Sequence, residues 1–319
     1  MEDDTVLKIS LDKSLYGPGE FVTGTVSLKT RTPISMNKLI LTLTKQRMID
    51  VCKMEPDAAG NKQKYRDDST IYKHEFVLYK TADSTNEISS GCHTFPFKFS
   101  LKSSDNSSTD IKGIYFDYLV NIQNSYKLSC DLYLFGAYEP MYEASKPIQV
   151  SDNLEKEKEF KVDVEMSSIM CLYYKSYSLF FKLNKELFFS GDQLVLEIGF
   201  QNMGKHIKNI DCNIYEILSV STPEINFIRT RYIVGGDAHR TNNGYCVELR
   251  IPSSTPTSVS ETEFNLKTVM FITITMHKSS PIRVKKYLQV VKKNLEIPHF
   301  DHLNVLDGEV FEEKVFILN

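Results

Sequence analysis

Residues 11–26 read LDKSLYGPGEFVTGTV, and residues 183–198 read LNKELFFSGDQLVLEI. Aligned without a gap, the two stretches share four of sixteen positions, which in the first stretch are Leu11, Lys13, Leu15 and Gly19. A further match joins Phe97–Leu101 to Val247–Ile251. Because both halves carry the same unit, the sequence predicts a two-domain protein and disfavours most single-domain enzyme folds.

Length and charge agree with this organisation. A chain of 319 residues has room for about two domains, each large enough to bury a core without disulfides or metal. The net charge of −3 gives no overall attraction to nucleic acid, so no nucleic-acid partner is expected. The sequence shows no apolar run of about 18 residues that would span a membrane. The acidic start MEDDTVLK lacks the apolar core of a signal peptide, which favours a cytoplasmic location.

Cysteine usage gives no sign of a covalent framework. The six cysteines are scattered without a CxxC pair and stand at Cys52, Cys92, Cys130, Cys171, Cys212 and Cys246. Isolated cysteines in a chain without a signal peptide are more typical of buried thiols than of disulfides or a zinc site.

Apolar and polar residues alternate with a period of two in many short segments, for example Phe21–Leu28 and Leu194–Gln201. Gly, Pro and Ser clusters separate these segments, which is the pattern of antiparallel sandwiches. The predicted fold class is therefore all-β, with two tandem antiparallel β-sandwich domains and a C-terminal tail. The predicted domains are residues 1–165, 166–293 and, for the tail, 294–319. The charged run Leu154–Lys161 and the stretch that follows to Ser168 favour a solvated connector, with a short helix as the alternative.

Several motifs in a fixed order resemble the arrestin fold. In the first half they are Tyr16–Val26 (YGPGEFVTGTV) and Gly91–Leu101 (GCHTFPFKFSL). In the second half they are Phe188–Asp192 (FFSGD) and Ile251–Ser258 (IPSSTPTS). Together they are similar to the α-arrestin (arrestin-domain-containing) branch over roughly residues 5–293.

This resemblance implies a non-enzymatic adaptor or scaffold. Such a protein binds cytoplasmic tails of membrane proteins and links them to endocytic or vesicle-trafficking machinery, including clathrin, a clathrin adaptor or a ubiquitin ligase. It would be cytoplasmic and peripherally recruited to the plasma membrane or endosomes. The alternative within the same fold is a retromer-type coat subunit in endosomal sorting. Pro140-Met141-Tyr142 follows Glu139 and so lacks the first proline of the Pro-Pro-x-Tyr motif that recruits ubiquitin ligases.

Catalytic and cofactor motifs are incomplete in the sequence. His74-Glu75 begins like a zinc-protease helix but lacks the second histidine and sits in a strand pattern. Ser10–Lys13 fits SxxK without the other members of that hydrolase set. No catalytic residue, cofactor or metal is therefore predicted. A hydrolase on paired sandwiches stays open as a different class, and it would require His, Asp and Ser or Cys side chains that converge in one pocket.

Two basic sets are candidate binding residues. In the arrestin family, basic residues around the first strands meet phosphates, and the matching set here is Lys8, Lys13, Lys29 and Arg31. A second set, near the last C-domain strand, is a candidate for anionic lipid and consists of Arg283, Lys285, Lys286, Lys292 and Lys293. Alternation places Arg283 and Lys285 on one face of the strand. The alternative for this second set is an ordinary solvated face.

The tail carries two candidate motifs. A clathrin-box-like motif is formed by Leu303, Val305, Leu306 and Asp307. A tail anchor that resembles the fold-back segment of arrestins is formed by Phe311, Val315 and Phe316. Burying three such side chains stabilises a folded-back tail by about 1.5–3 kcal/mol each. The entropy lost when six or so backbone residues become ordered nearly offsets this gain. The sequence therefore predicts either a releasable tail or, alternatively, a disordered end or an extra strand.

Overall fold

The computed structural model describes residues 5–56, 60, 62–81, 87–151, 159–167, 174–201, 207–277 and 280–292. All of the regular structure in these ranges is β-strand, which confirms the predicted all-β class. Within the same ranges, no helix is long and apolar enough to cross a bilayer.

In the described residues, the first sandwich has eight strands in two sheets. They are β1 (Val6–Leu11), β2 (Phe21–Thr30), β3 (Met36–Lys53), β4 (Lys64–Lys80), β5 (Gly91–Ser100), β6 (Thr109–Tyr115), β7 (Tyr118–Leu134) and β8 (Tyr142–Ile148). One sheet has the order β1-β2-β5, and the other has the order β4-β3-β7-β6 with β8 also paired to β7. All of these strand pairs are antiparallel.

The core of the first sandwich follows directly from the period-two pattern. In β2, Val22, Val26 and Leu28 are fully buried, whereas the alternate positions are partly or largely exposed. Leu39, Leu41 and Leu43 of β3 face them from the other sheet within the same cluster, whose members include Phe97, Leu128 and Leu132. One face of each strand is therefore in the core and the other is in water.

The second sandwich contains eleven strands in the part of the chain that the structure describes. They are β9 (Glu159–Ser167), β10 (Tyr174–Leu183), β11 (Leu187–Phe189), β12 (Gln193–Gln201), β13 (Ile207–Ser221), β14 (Asn226–Asp237), β15 (His239–Thr241), β16 (Gly244–Arg250), β17 (Val259–Ser260), β18 (Phe264–Met276) and β19 (Ile282–Val291). Their sheets have the orders β15-β16-β12-β10-β9 and β11-β19-β18-β13-β14, with β17 paired to β18. The short β11 runs parallel to β19, and the other pairs are antiparallel.

The sequence repeat is also a structural repeat. The backbone N–H of Asp12 donates to the Thr23 carbonyl, and the matching N–H of Asn184 donates to the Val195 carbonyl. A lysine–acid pair closes each turn, from Lys13 to Glu20 in the first unit and from Lys185 to Asp192 in the second. Tyr16 and its counterpart Phe188 each form a parallel bridge, to Val150 and Val290 respectively. The matched residues therefore encode one local conformation twice.

The charged run between the sandwiches differs from the expected connector. Residues from Glu159 onward form β9, which pairs with β10 in the second set of sheets. Phe160 stacks on Phe181 with ring centroids 4.8 Å apart, and Val162 packs against the same core. Glu159 and Lys161 alternate with these apolar side chains and are exposed. Two inward-facing apolar residues among many charges were too weak a pattern to predict a strand.

Candidate functional site at the domain interface

A third apolar cluster, here called the interface cluster, joins the two sandwiches. From the first sandwich it includes Ile49, Val51, Ile111, Tyr115, Tyr118, Val120 and Ile122. From the second it includes Leu218, Val220, Ile225, Phe227, Val259, Phe264 and Leu266. The Tyr118 and Phe227 rings stack with centroids 4.1 Å apart. Burial of this surface stabilises one arrangement of the sandwiches.

Charged residues lie between the interface cluster and the two domain cores. On β3 the inward positions run from Leu39–Leu43 in the first core to Ile49 and Val51 in the interface cluster. Lys45 and Arg47 occupy the two inward positions between them. We call the polar layer at this level the seam; its charged members are Lys45, Arg47, Asp105, Glu216, Arg231, Glu261 and Glu263.

Lys45 bridges the two sandwiches at the seam. Its Nζ lies 3.6 Å from Oδ1 of Asp105 in the first sandwich and 3.9 Å from Oε1 of Glu261 in the second. Asp105 also accepts hydrogen bonds from the Tyr72 hydroxyl at 2.8 Å and from the Lys102 backbone N–H at 2.9 Å. Because the Lys45 and Asp105 side chains are less than a tenth exposed, this pair is shielded from water and salt.

Burial and the neighbouring Asp105 raise the pKa of the Tyr72 hydroxyl, so it stays a hydrogen-bond donor at physiological pH. Arg47 forms a second bridge, to Asp67 in its own sandwich at 2.9 Å and to Glu263 in the other.

Glu216 on β13 is the most buried charge of the seam, with a side chain 1% exposed. The Tyr115 hydroxyl of the first sandwich donates to its Oε2 at 2.7 Å, and Nε of Arg231 donates to the same oxygen at 3.0 Å. The Arg231 guanidinium also lies 4.5 Å from the Tyr115 ring centroid. Burial, together with the charge of Glu216, raises the pKa of Tyr115 and keeps its hydroxyl a donor. The three side chains form one satisfied network across the two domains.

Hydrogen bonds at both ends of the interface complete the contact. Thr109 donates to the Thr257 carbonyl at 3.0 Å, and the Gln289 amide donates to the Ser151 hydroxyl at 3.0 Å. At the opposite end, Nε of Arg229 donates to Asp117 at 3.1 Å. Apolar burial and directional polar contacts therefore set the relative position of the sandwiches together.

The Asp110–Lys292 pair predicts a pH-dependent stability contribution. Burial alone would raise the pKa of Asp110, but hydrogen bonds from Lys292 and Lys112 outweigh it and hold that pKa below its ordinary value. A carboxyl whose folded pKa is depressed stabilises the fold above its unfolded pKa and loses this contribution as the pH falls through the folded value. At pH 6, the free energy of unfolding of the wild type should therefore exceed that of Asp110→Asn by up to about 1 kcal/mol. The difference should shrink below about pH 4. Urea unfolding across this range checks it, and a difference that grows on acidification would contradict it.

An exposed apolar surface stands at one edge of the interface. It consists of the tip of the β6–β7 hairpin and the adjoining end of β3, and we call it the hairpin patch; its members are Met54, Ile114, Phe116 and Leu119. Phe116 is 79% exposed and adopts φ = 61° in the turn. A bulky residue rarely occupies the left-handed region, so the turn holds this ring outward at a backbone cost of about 1–3 kcal/mol. The Met54 N–H donates to the Asp117 carbonyl at 2.8 Å and ties β3 to the hairpin.

Residues 7–130 match the family model described as "Arrestin (or S-antigen), N-terminal domain". This match supports a relationship of the chain to the arrestin family. The matched region runs from β1 into β7 and so covers most of the first sandwich. No curated protein matches this chain. The match does not distinguish the α-arrestin branch from others.

The predicted phosphate-binding residues divide into two places. Register pairs Lys8 with Ser27 and Val6 with Lys29, so Lys8 and Lys29 share the outer face of the β1-β2-β5 sheet. Arg31 follows the same end of β2. Lys13 lies beyond the other end of β1 and pairs with Glu20. The structure therefore brings three of the four residues to one end of a sheet, and phosphate binding there stays a prediction.

The predicted lipid-binding residues are also divided. Arg283 and Lys285 are exposed at alternate positions of β19, and the Lys285 Nζ lies 4.8 Å from the Tyr287 ring. Lys286 faces the opposite side, 5.0 Å from the Phe160 ring. Lys292 donates to Asp110 at 2.9 Å across the domain interface. This interdomain role for Lys292 was not predicted, and the lipid contact stays a prediction.

Several predicted residues lie outside the described ranges. They are Lys293, the clathrin-box-like set Leu303, Val305, Leu306 and Asp307, and the tail anchor Phe311, Val315 and Phe316. The seam residues, by contrast, are well described but were not predicted. A usable signal was present, since Lys45 and Glu216 each interrupt an otherwise apolar alternation in a long strand. Such an interruption indicates a buried charge that requires a partner.

Proposed function

We propose that this chain is a non-enzymatic arrestin-like adaptor that binds cytoplasmic segments of membrane proteins and connects them to endocytic or vesicle-trafficking machinery. It acts in the cytoplasm and is recruited to the plasma membrane or to endosomes. The arrestin N-terminal domain over residues 7–130 supports an adaptor role in general. The finer assignment rests on the hairpin patch.

The observation that carries this proposal is an apolar surface attached directly to the domain interface. Phe116, Ile114 and Leu119 are all more than half exposed. Scattered single apolar residues are ordinary on protein surfaces, but several on one hairpin tip are typical of a partner-binding site. A short amphipathic or extended segment of a membrane protein would bury these side chains.

The hairpin patch is also coupled to the second sandwich through Arg229. Its guanidinium lies 5.4 Å from the Phe116 ring and 5.5 Å from the Tyr118 ring, while its Nε donates to Asp117. A partner that displaces Phe116 therefore also changes the contacts of an arginine on β14, the strand that carries Arg231. Binding at the hairpin patch is therefore coupled to the relative position of the two sandwiches. Such coupling is reciprocal, so a change in that position also changes the affinity of the patch.

Replacing Phe116 with aspartate tests the adaptor role. The full chain, purified by affinity from its native cell, should recover membrane proteins together with clathrin, clathrin adaptors or a ubiquitin ligase. Phe116→Asp should reduce that recovery at least tenfold, because a truncated hot-spot aromatic costs about 2 kcal/mol or more. Tyr138→Asp is the matched control, since Tyr138 is 101% exposed in a different loop. Equal recovery with both variants would refute the role of the patch.

The retromer-type alternative gives a different result in the same experiment. A single large helical-solenoid partner, retained by Phe116→Asp and by residues 1–293, would favour a coat subunit. Loss of clathrin machinery with residues 1–293 alone would assign the link to the tail, whereas a gain of membrane-protein partners would indicate an inhibitory tail. Recovery of neither class would exclude both proposals.

A further inference from the structure

Three potential metal ligands meet on the outer face of the β15-β16-β12-β10-β9 sheet, and none of them belongs to the seam. They are His239 on β15, and Cys246 and Glu248 on β16. One ligand atom from each residue lies within 4.8 Å of the other two. This cluster was not predicted, because the cysteines are scattered and the sequence has no CxxC pair.

Strand register explains why these side chains meet. His239 is the antiparallel partner of Cys246, so their side chains lie side by side. Glu248 is two residues further along β16 and therefore points to the same face. The intervening Val247 is fully buried in the core of the second sandwich. The core thus holds β16 in a rotation that directs Cys246 and Glu248 outward.

The hairpin that carries His239 requires a glycine. Gly244 has φ = 156°, and a Cβ there would lie 2.1 Å from the Ile198 carbonyl oxygen. This close approach lets β16 lie against β12. Two side chains of β12 then join the site. The Gln193 amide donates to Glu248 Oε2 at 2.8 Å and fixes that carboxylate. Glu197 is the register partner of Cys246 and adds negative charge beside it.

The same geometry argues against a cysteine nucleophile. Burial raises the pKa of the Cys246 thiol, and the charges of Glu248 and Glu197 raise it further. A reactive cysteine requires a depressed pKa and an electropositive surrounding. The surrounding here is electronegative, which repels a thiolate by itself but attracts a cation.

An open cavity of about 750 Å³ adjoins the cluster. His239 and Cys246 line it together with Glu197, Lys182 and the hairpin residue Asn243. A metal held by the three ligands would therefore keep one coordination position toward solvent. Three protein ligands and one open position are the arrangement of zinc sites that keep a water ligand.

We propose that His239, Cys246 and Glu248 form a zinc-binding site at the edge of this cavity. The imidazole, thiolate and carboxylate set suits zinc better than calcium or magnesium, which prefer oxygen ligands alone. Tetrahedral zinc places its ligand atoms roughly 3.3–3.8 Å apart, as follows from bond lengths of about 2.0–2.3 Å. Side-chain rotations that move the atoms together by about 1 Å complete the site. This site is independent of the adaptor role proposed above.

Metal titration of the full chain tests this site. After chelator treatment, zinc chloride should bind with about one equivalent per chain and a micromolar or tighter Kd. Cobalt chloride, used as a spectroscopic probe, should give a sulfur-to-cobalt charge-transfer band, because Cys246 supplies a thiolate ligand. His239→Ala and Cys246→Ser should each weaken zinc binding at least tenfold and, for Cys246→Ser, remove the band. Gln193→Ala should weaken binding about tenfold by releasing Glu248.

Matched variants separate this site from other zinc ligands. Cys92→Ser alters an exposed cysteine elsewhere and should leave both titrations unchanged. Circular dichroism of the metal-free variants checks that they fold, and His239→Ala alters only an exposed side chain. Zinc binding that survives in both His239→Ala and Cys246→Ser would assign the metal to other residues and would overturn the proposal. A wild-type chain that gives no charge-transfer band would overturn it as well.

Discussion

Replacing Glu216 with alanine is expected to lower the free energy of unfolding by about 3 kcal/mol. The carboxylate is 1% exposed and accepts hydrogen bonds from both Tyr115 and Arg231. Its removal leaves a guanidinium that is only 33% exposed without its counter-charge, and a buried phenol without its acceptor. Loss of one partner from a buried pair costs more than the pair itself contributes, because the remaining charge stays desolvated.

Urea unfolding of the full chain measures this effect, with separate probes for the two sandwiches because a two-domain protein need not unfold in one step. Glu75→Ala is the matched control, since Glu75 forms an exposed pair with Lys73 and should change stability by less than about 1 kcal/mol. The double variant Glu216→Leu/Arg231→Met should recover most of the loss, because it removes both charges together. A Glu216→Ala variant as stable as the Glu75→Ala control would show that the network of Glu216, Tyr115 and Arg231 contributes nothing to the stability of the fold.

Replacing Gly24 with alanine is expected to cost about 3 kcal/mol or more. A Cβ at this position would lie 2.2 Å from the Ser10 carbonyl oxygen and 2.7 Å from the Phe97 ring. The Ser10 carbonyl is part of the backbone of β1, and β1 cannot move away from Gly24 without breaking its pairing with β2. The loss should therefore appear in the first sandwich.

Gly199→Ala is the matched control for this substitution. It also lies in a strand, β12, but its added Cβ would meet only the Phe180 Cβ at 3.8 Å, an ordinary contact. Because alanine loses less conformational entropy than glycine on folding, this control should be neutral or slightly stabilising. Thermal unfolding followed by circular dichroism compares the two variants. Equal melting temperatures would mean that β1 and β2 accommodate the added methyl group.

Local patterns were enough to predict most of the strands and the repeat. The alternation in Phe21–Leu28 matches the burial of β2, and the pairs Lys13–Glu20 and Lys185–Asp192 close equivalent turns. Strand β9 was not predicted, because Phe160 and Val162 are too few to dominate a charged run. An alternating pattern predicts a strand only when several consecutive inward positions are apolar, because one or two such residues also occur by chance.

The all-β class, the duplication and the turn chemistry could be predicted because each depends on residues a few positions apart. Which charges meet could not, because it depends on the tertiary structure. Lys45 pairs with Glu261, and Tyr115 donates to Glu216, across separations that no local pattern encodes. The physical reason is that these contacts depend on strand register and on the packing of two sandwiches, both of which are set by the sum of many apolar contacts. His239 likewise meets Cys246 because a hairpin register aligns them.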